Sequence, residues 1–237
     1  RDVAVTGVQT CALPILTGDY GVSDYSNALK TGYDLFNLEW PEFIEKDLGI
    51  PVSSLPEVVA PGEVIGKISQ KCADETGLSI NSIVCAGMTD SSASLLATGA
   101  AKPGDWSSTI GTTLSLKGIS EGLVRDPSGA VYCHRHPNSW LLPGAASNVG
   151  GEWLKVLFED CDKQEMDKQA GLMGISNLVV YPLVRKGERF PFVNKDAEGF
   201  IVGQPVGEVD KYRGYLEGVG LVERLCFDLF ERLGAKV

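Results

Sequence analysis

The clearest periodicity lies near the C-terminus, where Leu216, Val219, Val222, Leu225, Cys226, Leu229, Phe230 and Leu233 recur three and four positions apart. That spacing predicts a helix over residues 212–233 with one apolar stripe against a core. Shorter helices are read at 151–159, 163–170 and 91–99, the last a run of small residues with Leu95 and Leu96 inward. Trp40, Phe43, Ile44 and Leu48 predict an amphipathic helix over 38–48, stopped by Gly49 and Pro51. Residues 71–76 read as a helical turn closed by Gly77. Apolar, β-rich runs predict strands at 82–86, 106–110, 114–116, 130–134, 139–142 and 178–183. Gly111-Thr112-Thr113 joins two of them into a hairpin. Pro103-Gly104-Asp105 is a turn, and Pro51, Pro56 and Pro61 make 51–65 an extended surface connection. Residues 18–27, rich in Gly, Asp and Ser, form a loop feeding a turn or helix start. Strands and helices interleave, so the class is α/β or α+β with helices on a sheet.

Composition narrows the function. A 237-residue chain that is 43% hydrophobic can bury a real core. Its net charge of -10, from 21 Lys+Arg against 31 Asp+Glu, argues against the broad phosphate-neutralising surface of a nucleic-acid binder. Small anions can still be held by backbone N–H groups. Apolar runs fall short of the ~20 residues of a spanning helix, so no membrane is implied. Six scattered cysteines without a Cys-x-x-Cys pair exclude a zinc ribbon and a dense disulfide scaffold, and fit a reducing cytoplasm. Val5-Thr6-Gly7-Val8-Gln9-Thr10-Cys11-Ala12-Leu13-Pro14-Ile15 looks like the translation of a sequencing-library adapter. Residues 1–15 are therefore set aside from fold reasoning, which makes the chain a fragment.

The candidate chemistry centres on Cys85-Ala86-Gly87-Met88-Thr89-Asp90-Ser91-Ser92-Ala93. Asp90 follows a strand and opens a helix of small residues, with nothing basic close in sequence. It is either an N-cap that stabilises the helix by ~1 kcal/mol, or a group projecting from the strand end into a ligand crevice. Ile110-Gly111-Thr112-Thr113 offers hydroxyls beside backbone N–H groups, a cradle for phosphate oxygens. Gly144–Leu154 (GAASNVGGEWL) runs from a strand through small residues into a helix, which suits anion binding or close helix–sheet packing. His134 and His136 alternate on a predicted strand, but only Cys133 lies near them. They are read as surface or satisfied polar residues, with no metal site, since zinc needs three or four ligands. Arg185-Lys186-Gly187-Glu188-Arg189 is read as a solvated loop.

Order and spacing add a resemblance. The block AGMTDSSASLLATGAAKPGDWSSTIGTTLS resembles the signature of the FGGY carbohydrate kinases, and Ser23-Asp24-Tyr25-Ser26-Asn27-Ala28 resembles their (Ser/Thr)-Asp-x-(Ser/Thr)-x-Ala segment. Leu48-Gly49-Ile50-Pro51, Leu55-Pro56-Glu57-Val58 and Glu63-Val64-Ile65-Gly66 follow in the family's order. GAASNVGGEWL and YPLVRKGERFP (Tyr181–Pro191) are most similar to its pentulose-kinase-like branch, which includes D-ribulokinases. The resemblance implies an actin-like ATPase (ribonuclease H-like) fold of two domains with the active site in the cleft between them. Here both ends would be incomplete: residues 16–100 belong to the sugar-binding N-terminal domain and 101–237 to the nucleotide-binding C-terminal domain.

By the same resemblance Asp90 is the catalytic base for transfer from ATP with Mg²⁺. Gly111, Thr112 and Thr113 lie against the β- and γ-phosphates, and Asn148, Gly150 and Gly151 lie near the nucleotide. The partner is a small-molecule sugar such as D-ribulose or D-xylulose, and a homodimer is allowed for. A glycerol or other polyol kinase, or a non-catalytic sugar- or nucleotide-binding regulator on the same scaffold, stays as an alternative. The family's Asp-x-Gly-Thr phosphate loop, much of its sugar pocket and its Gly-Gly-Gly adenosine motif are not in this chain. The 237-residue polypeptide alone is therefore expected to release no ADP in a coupled assay with ATP, Mg²⁺ and D-ribulose; normal rates would overturn the fragment assignment.

Overall fold

The computed structural model describes residues 8–237. The chain divides into two units, Arg1–Gly99 with His134–Leu141, and Ala100–Cys133 with Leu142–Val237. Of the segment set aside as adapter-like, residues 1–7 lie outside the described residues. The remainder enters helix α1 (Val8–Thr17), where sequence reasoning assigned no element. Leu13 is buried there against Ile68, Cys72 and Val84, with Leu16 beside them.

The first unit is built from short pieces. Strand β1 (Val22–Asp24) runs directly into helix α2 (Tyr25–Ala28), so the predicted loop at 18–27 holds a strand as well as a helix start. The predicted helix over 38–48 contracts to α3 (Phe43–Lys46). Leu38 has a φ of 57°, which no right-handed helix accommodates, and Pro41 has no N–H to give. The Trp40 indole donates to the Pro56 carbonyl at 3.0 Å. Ile44 is buried, while Phe43 and Leu48 are exposed. The proline-rich connection carries β2 (Glu57–Val59), which pairs in parallel with β1, and leads into β3 (Val64–Lys67). Helix α4 (Gln70–Thr76) is capped by Ser69, whose hydroxyl accepts from Cys72 N at 3.2 Å, and is stopped by Gly77 in the left-handed region, as expected. Strand β4 (Ile83–Cys85) pairs antiparallel with β3 and delivers the chain to helix α5 (Asp90–Ala97), which buries Leu95. Leu96 is only partly buried.

The second unit centres on a four-stranded sheet. Strands β5 (Trp106–Ile110) and β6 (Leu114–Gly118) form the predicted antiparallel hairpin, with Ile110 opposite Leu114. Strands β7 (Tyr132–Arg135) and β8 (Leu141–Ser147) complete the order β5-β6-β8-β7. Strand β8 extends past the predicted 139–142 because Gly144, Ala145 and Ala146 are small enough to lie against β6, Leu116 opposite Ala145. Helices α6 (Glu152–Leu157) and α7 (Lys163–Leu172) follow. Strand β9 (Val179–Tyr181) then pairs with β10 (Phe200–Val202), a three-residue exposed strand absent from the sequence reading, before the long helix α8 (Glu208–Arg232). The core joins Leu114, Leu116, Ala145 and Val149 of the sheet side to Trp153, Phe158, Tyr212, Val222, Cys226 and Phe230. Tyr212 meets Trp153 and Phe158 edge-on, each at 5.1 Å between ring centroids.

The buried stripe of α8 is rotated from the predicted one. Asp210, Gly214, Gly218, Val222, Cys226 and Phe230 are buried at four-residue steps, with Tyr212 and Val219 alongside. Leu216 and Leu225, which the apolar pattern placed inward, are 37% and 41% exposed. Two glycines set this face. A Cβ on Gly218 would lie 2.5 Å from the Val180 carbonyl oxygen, and one on Gly214 would lie 3.0 Å from Leu178 Cδ1. The helix backbone thus closes directly on β9, which a hydrophobicity pattern does not register. Gly218→Ala is expected to destabilise the protein by about 1–3 kcal/mol through overpacking. Gly220→Ala, with open space at its Cβ position, is expected to stabilise it by about 0.5–1 kcal/mol. Urea unfolding of the two variants checks the opposite signs.

Candidate active site

Asp90 is the first residue of α5 and is exposed. The N-cap position belongs to Thr89, whose φ of -61° and ψ of 146° are extended, so the capping role weighed for Asp90 falls one residue earlier. Thr89 makes no side-chain cap bond; its Oγ1 donates to Ser92 Oγ at 3.1 Å. Asp90 Oδ1 accepts from Ser91 N at 2.7 Å. Among the described residues no ion pair links Asp90 to a Lys, Arg or His. Its place in the chain is set from behind, where Thr89 N donates to the buried Ser26 hydroxyl at 2.9 Å.

In the second unit the residues predicted for the phosphate side come together. The bend at Gly111-Thr112-Thr113 closes on itself through Gly111 N to Thr113 O, 3.0 Å. It is bound to the start of α6, with Gly151 N donating to Gly111 O at 2.7 Å and Leu114 N to Val149 O at 2.6 Å. Gly150 is required by contact: a Cβ there would lie 2.5 Å from the Thr112 carbonyl oxygen and 2.6 Å from Thr113 Cα. Gly151 is nearly as confined, 3.0 Å from Gly111 O. Two backbones therefore touch where side chains would otherwise stand, and Gly111 and Thr112 remain exposed. Helix α6 has only six residues, and Glu152 in its first turn pairs with Arg185. Its dipole is correspondingly small.

Asn148 is placed differently from its companions. Its Nδ2 donates to the Gly187 carbonyl at 2.9 Å, and its N–H donates to Glu188 Oε1 at 2.7 Å. The residue that organises this corner is Glu188, which sequence reasoning left inside a solvated loop. It is 3% exposed. Oε2 accepts from Ser147 Oγ at 2.8 Å and Tyr181 OH at 2.7 Å, and Oε1 accepts from Arg189 N at 2.8 Å as well as from Asn148 N. Burial, with the carboxylate beside it, drives the Tyr181 phenol pKa well above its ordinary value, which keeps that proton in place as a donor. The neighbouring basic residues do lie at the surface: Arg185 Nε meets Glu152 at 2.7 Å, and Lys186 meets Asp196 at 3.2 Å. In sequence Glu188 differs from any loop glutamate only by its apolar flank at Phe190, too weak a signal to find it.

His134 and His136 are both buried, not at the surface. His136 Nδ1 accepts from Asn138 N at 2.9 Å and its ring packs on Trp140, and burial pushes its pKa below the ordinary histidine value. Among the described residues no group of three or more His, Cys, Asp or Glu is placed to hold a metal ion. No helix among them is long and apolar enough to cross a membrane, and Cys72, Cys85, Cys133, Cys161 and Cys226 are free thiols.

The fold is the actin-like ATPase fold of sugar kinases. It matches the crystal structure of xylulose kinase from Rhodospirillum rubrum with a TM-score of 0.82 and 26% identity, over 97% of this chain and 48% of that one. Plasmodium falciparum glycerol kinase with ADP also matches, with a TM-score of 0.82 and 18% identity over 97% and 48%. Residues 5–97 match the FGGY family of carbohydrate kinases, N-terminal domain. The match begins within the segment set aside as adapter-like. Gluconokinase of Bacillus subtilis (strain 168) is 26% identical over 232 residues, 90% of this chain and 45% of the relative. The chain spans about half the length of the curated relatives it matches.

Glu188→Gln turns an NH₂ group toward donors that already point inward. The variant is expected to lose about 1–3 kcal/mol of stability, read from the urea midpoint; an unchanged midpoint would show that Glu188 does not hold this corner.

Proposed function

We propose that this chain forms part of an ATP-dependent phosphotransferase that phosphorylates a hydroxyl of a sugar or polyol. Asp90 is the base: it receives the proton of the substrate hydroxyl as that oxygen attacks the γ-phosphorus of MgATP, and ADP leaves. Phosphoryl transfer passes through a loose transition state in which the nucleophile gives up its proton late. An exposed carboxylate with no paired cation meets that requirement by orienting the hydroxyl and then accepting its proton.

The observation that carries the reading is the Gly111–Thr113 bend, whose backbone is held by Gly150 and Gly151 with no room for a Cβ. Such a bend offers N–H groups and threonine hydroxyls to an anion with no side chain in the way, which suits the β- and γ-phosphates of the nucleotide. Asn148 supports this corner through Gly187 and Glu188. The relatives, xylulose kinase, gluconokinase and glycerol kinase, are named for one shared chemistry on different polyhydroxy substrates. Within that range a pentulose is favoured by GAASNVGGEWL and YPLVRKGERFP, the segments most similar to the pentulose-kinase-like branch. A cytoplasmic setting accords with cysteines that form no disulfide among the described residues. A homodimer belongs to the same reading, and sedimentation decides it.

The test uses the complete protein with MgATP and D-ribulose, D-xylulose, gluconate and glycerol in an ADP-release assay. Asp90→Asn is expected to lower kcat by about 10²–10⁴-fold with the unfolding midpoint unchanged. Near-normal turnover in that variant would remove Asp90 as the base, and failure of every acceptor would remove the kinase reading.

A further inference from the structure

Two buried polar residues behind Asp90 have no part in the chemistry proposed above. Asp24 ends β1 and Ser26 stands in α2; they are 3% and 1% exposed, and Thr89 is 6% exposed. The Ser26 hydroxyl donates to Asp24 Oδ1, and its lone pair accepts from Thr89 N at 2.9 Å, joining residues 63 positions apart. Oδ1 also accepts from Ser26 N at 2.9 Å and Asn27 N at 3.2 Å, and Oδ2 accepts from Asn27 Nδ2 at 2.6 Å. A hydroxyl has one proton and two lone pairs. With the proton committed to a carboxylate, Ser26 can meet the Thr89 amide only as an acceptor, so the direction of this chain of bonds is fixed. Water cannot replace it at these burials, and a lost link leaves a buried N–H without a partner.

This contact matters because α5 has little else at its start. Thr89 turns its own hydroxyl to Ser92 and makes no side-chain cap bond. The last residue before Asp90 is therefore held by a hydrogen bond from its backbone N–H to a different segment, and Asp90 follows it directly and is exposed.

We propose that Asp24 and Ser26 are positioning residues for Asp90: the buried carboxylate–hydroxyl–amide chain holds the first turn of α5 and so keeps the Asp90 carboxylate in one place. The inference rests on Asp90 being the proton acceptor of the proposed transfer. Neither Asp24 nor Ser26 touches substrate in this account. Both act through the backbone of Thr89.

Amide hydrogen exchange on this chain, read by NMR, tests the holding without any turnover. Ser26→Ala is expected to speed exchange at Thr89 by about tenfold or more while the amides of α4 keep their rates, and Ser26→Thr, which keeps the hydroxyl, is expected to restore protection. In the complete protein Ser26→Ala should lower kcat by about tenfold with the KM for ATP unchanged, and Ser26→Thr should recover it. If Ser26→Ala does not accumulate folded, Asp24→Asn carries the same comparison, since it sets an NH₂ against the Asn27 donor; faster Thr89 exchange is again expected. Unchanged exchange at Thr89, acceleration spread equally over α4, or a wild-type kcat in Ser26→Ala would each overturn the proposal. A wild-type protein that phosphorylates no acceptor would instead overturn the kinase reading, and the Thr89 exchange rate would still decide whether Asp24 and Ser26 hold this segment.

Discussion

A carboxylate taken out of water has to be surrounded by donors, and each unit of this chain is arranged around one such group. Asp24 is met by Ser26 N, Ser26 Oγ, Asn27 N and Asn27 Nδ2. Glu188 is met by Ser147 Oγ, Tyr181 OH, Asn148 N and Arg189 N. In neither case does a Lys or Arg side chain among the described residues supply the compensation; neutral donors fixed by the backbone do it. Because an unsatisfied buried charge costs far more than a satisfied one contributes, such a centre tolerates little displacement of its donors. The segments that supply them become rigid for the same reason. One of those segments bonds to Thr89, the residue before Asp90, and the other runs on to the Gly150–Gly151 turn.

A second constraint is the absence of side chains where two backbones meet. At Gly150 the turn before α6 lies on the Thr112–Thr113 backbone, and at Gly218 the helix α8 lies on β9. Both contacts use glycine to bring main chain against main chain, yet they serve different ends. The first leaves a bend of exposed N–H and hydroxyl groups, a surface suited to an anion. The second sets the rotation of a 25-residue helix, and with it which apolar side chains enter the core. Tyr212, Val219, Val222, Cys226 and Phe230 are inside because the glycines choose that face, and Leu216 and Leu225 are left in solvent.

These two constraints give the proposed chemistry a physical basis in each unit taken by itself. Transfer of a phosphoryl group asks little covalent work of a protein and much positioning. A base needs one free lone pair and a fixed location. A phosphate needs converging donors with no bulk between them. In the proposed reading Asp90 and the Gly111–Thr113 bend answer those two needs, the first held through Ser26 and Thr89 and the second by the backbone of Gly150 and Gly151.

The elements whose signals are local could be read from the amino-acid pattern. The hairpin through Gly111-Thr112-Thr113, α4 with its Gly77 stop, and α5 behind Asp90 were all legible, because turn glycines and short periodicities act over a few residues. Resemblance in the order of motifs carried the family. Only the three-dimensional packing placed Glu188 as a buried hub, held Thr89 by Ser26, and turned the α8 glycines inward. Each of these depends on atoms far away along the chain, and no pattern within a segment records which distant donor or carbonyl will stand against it.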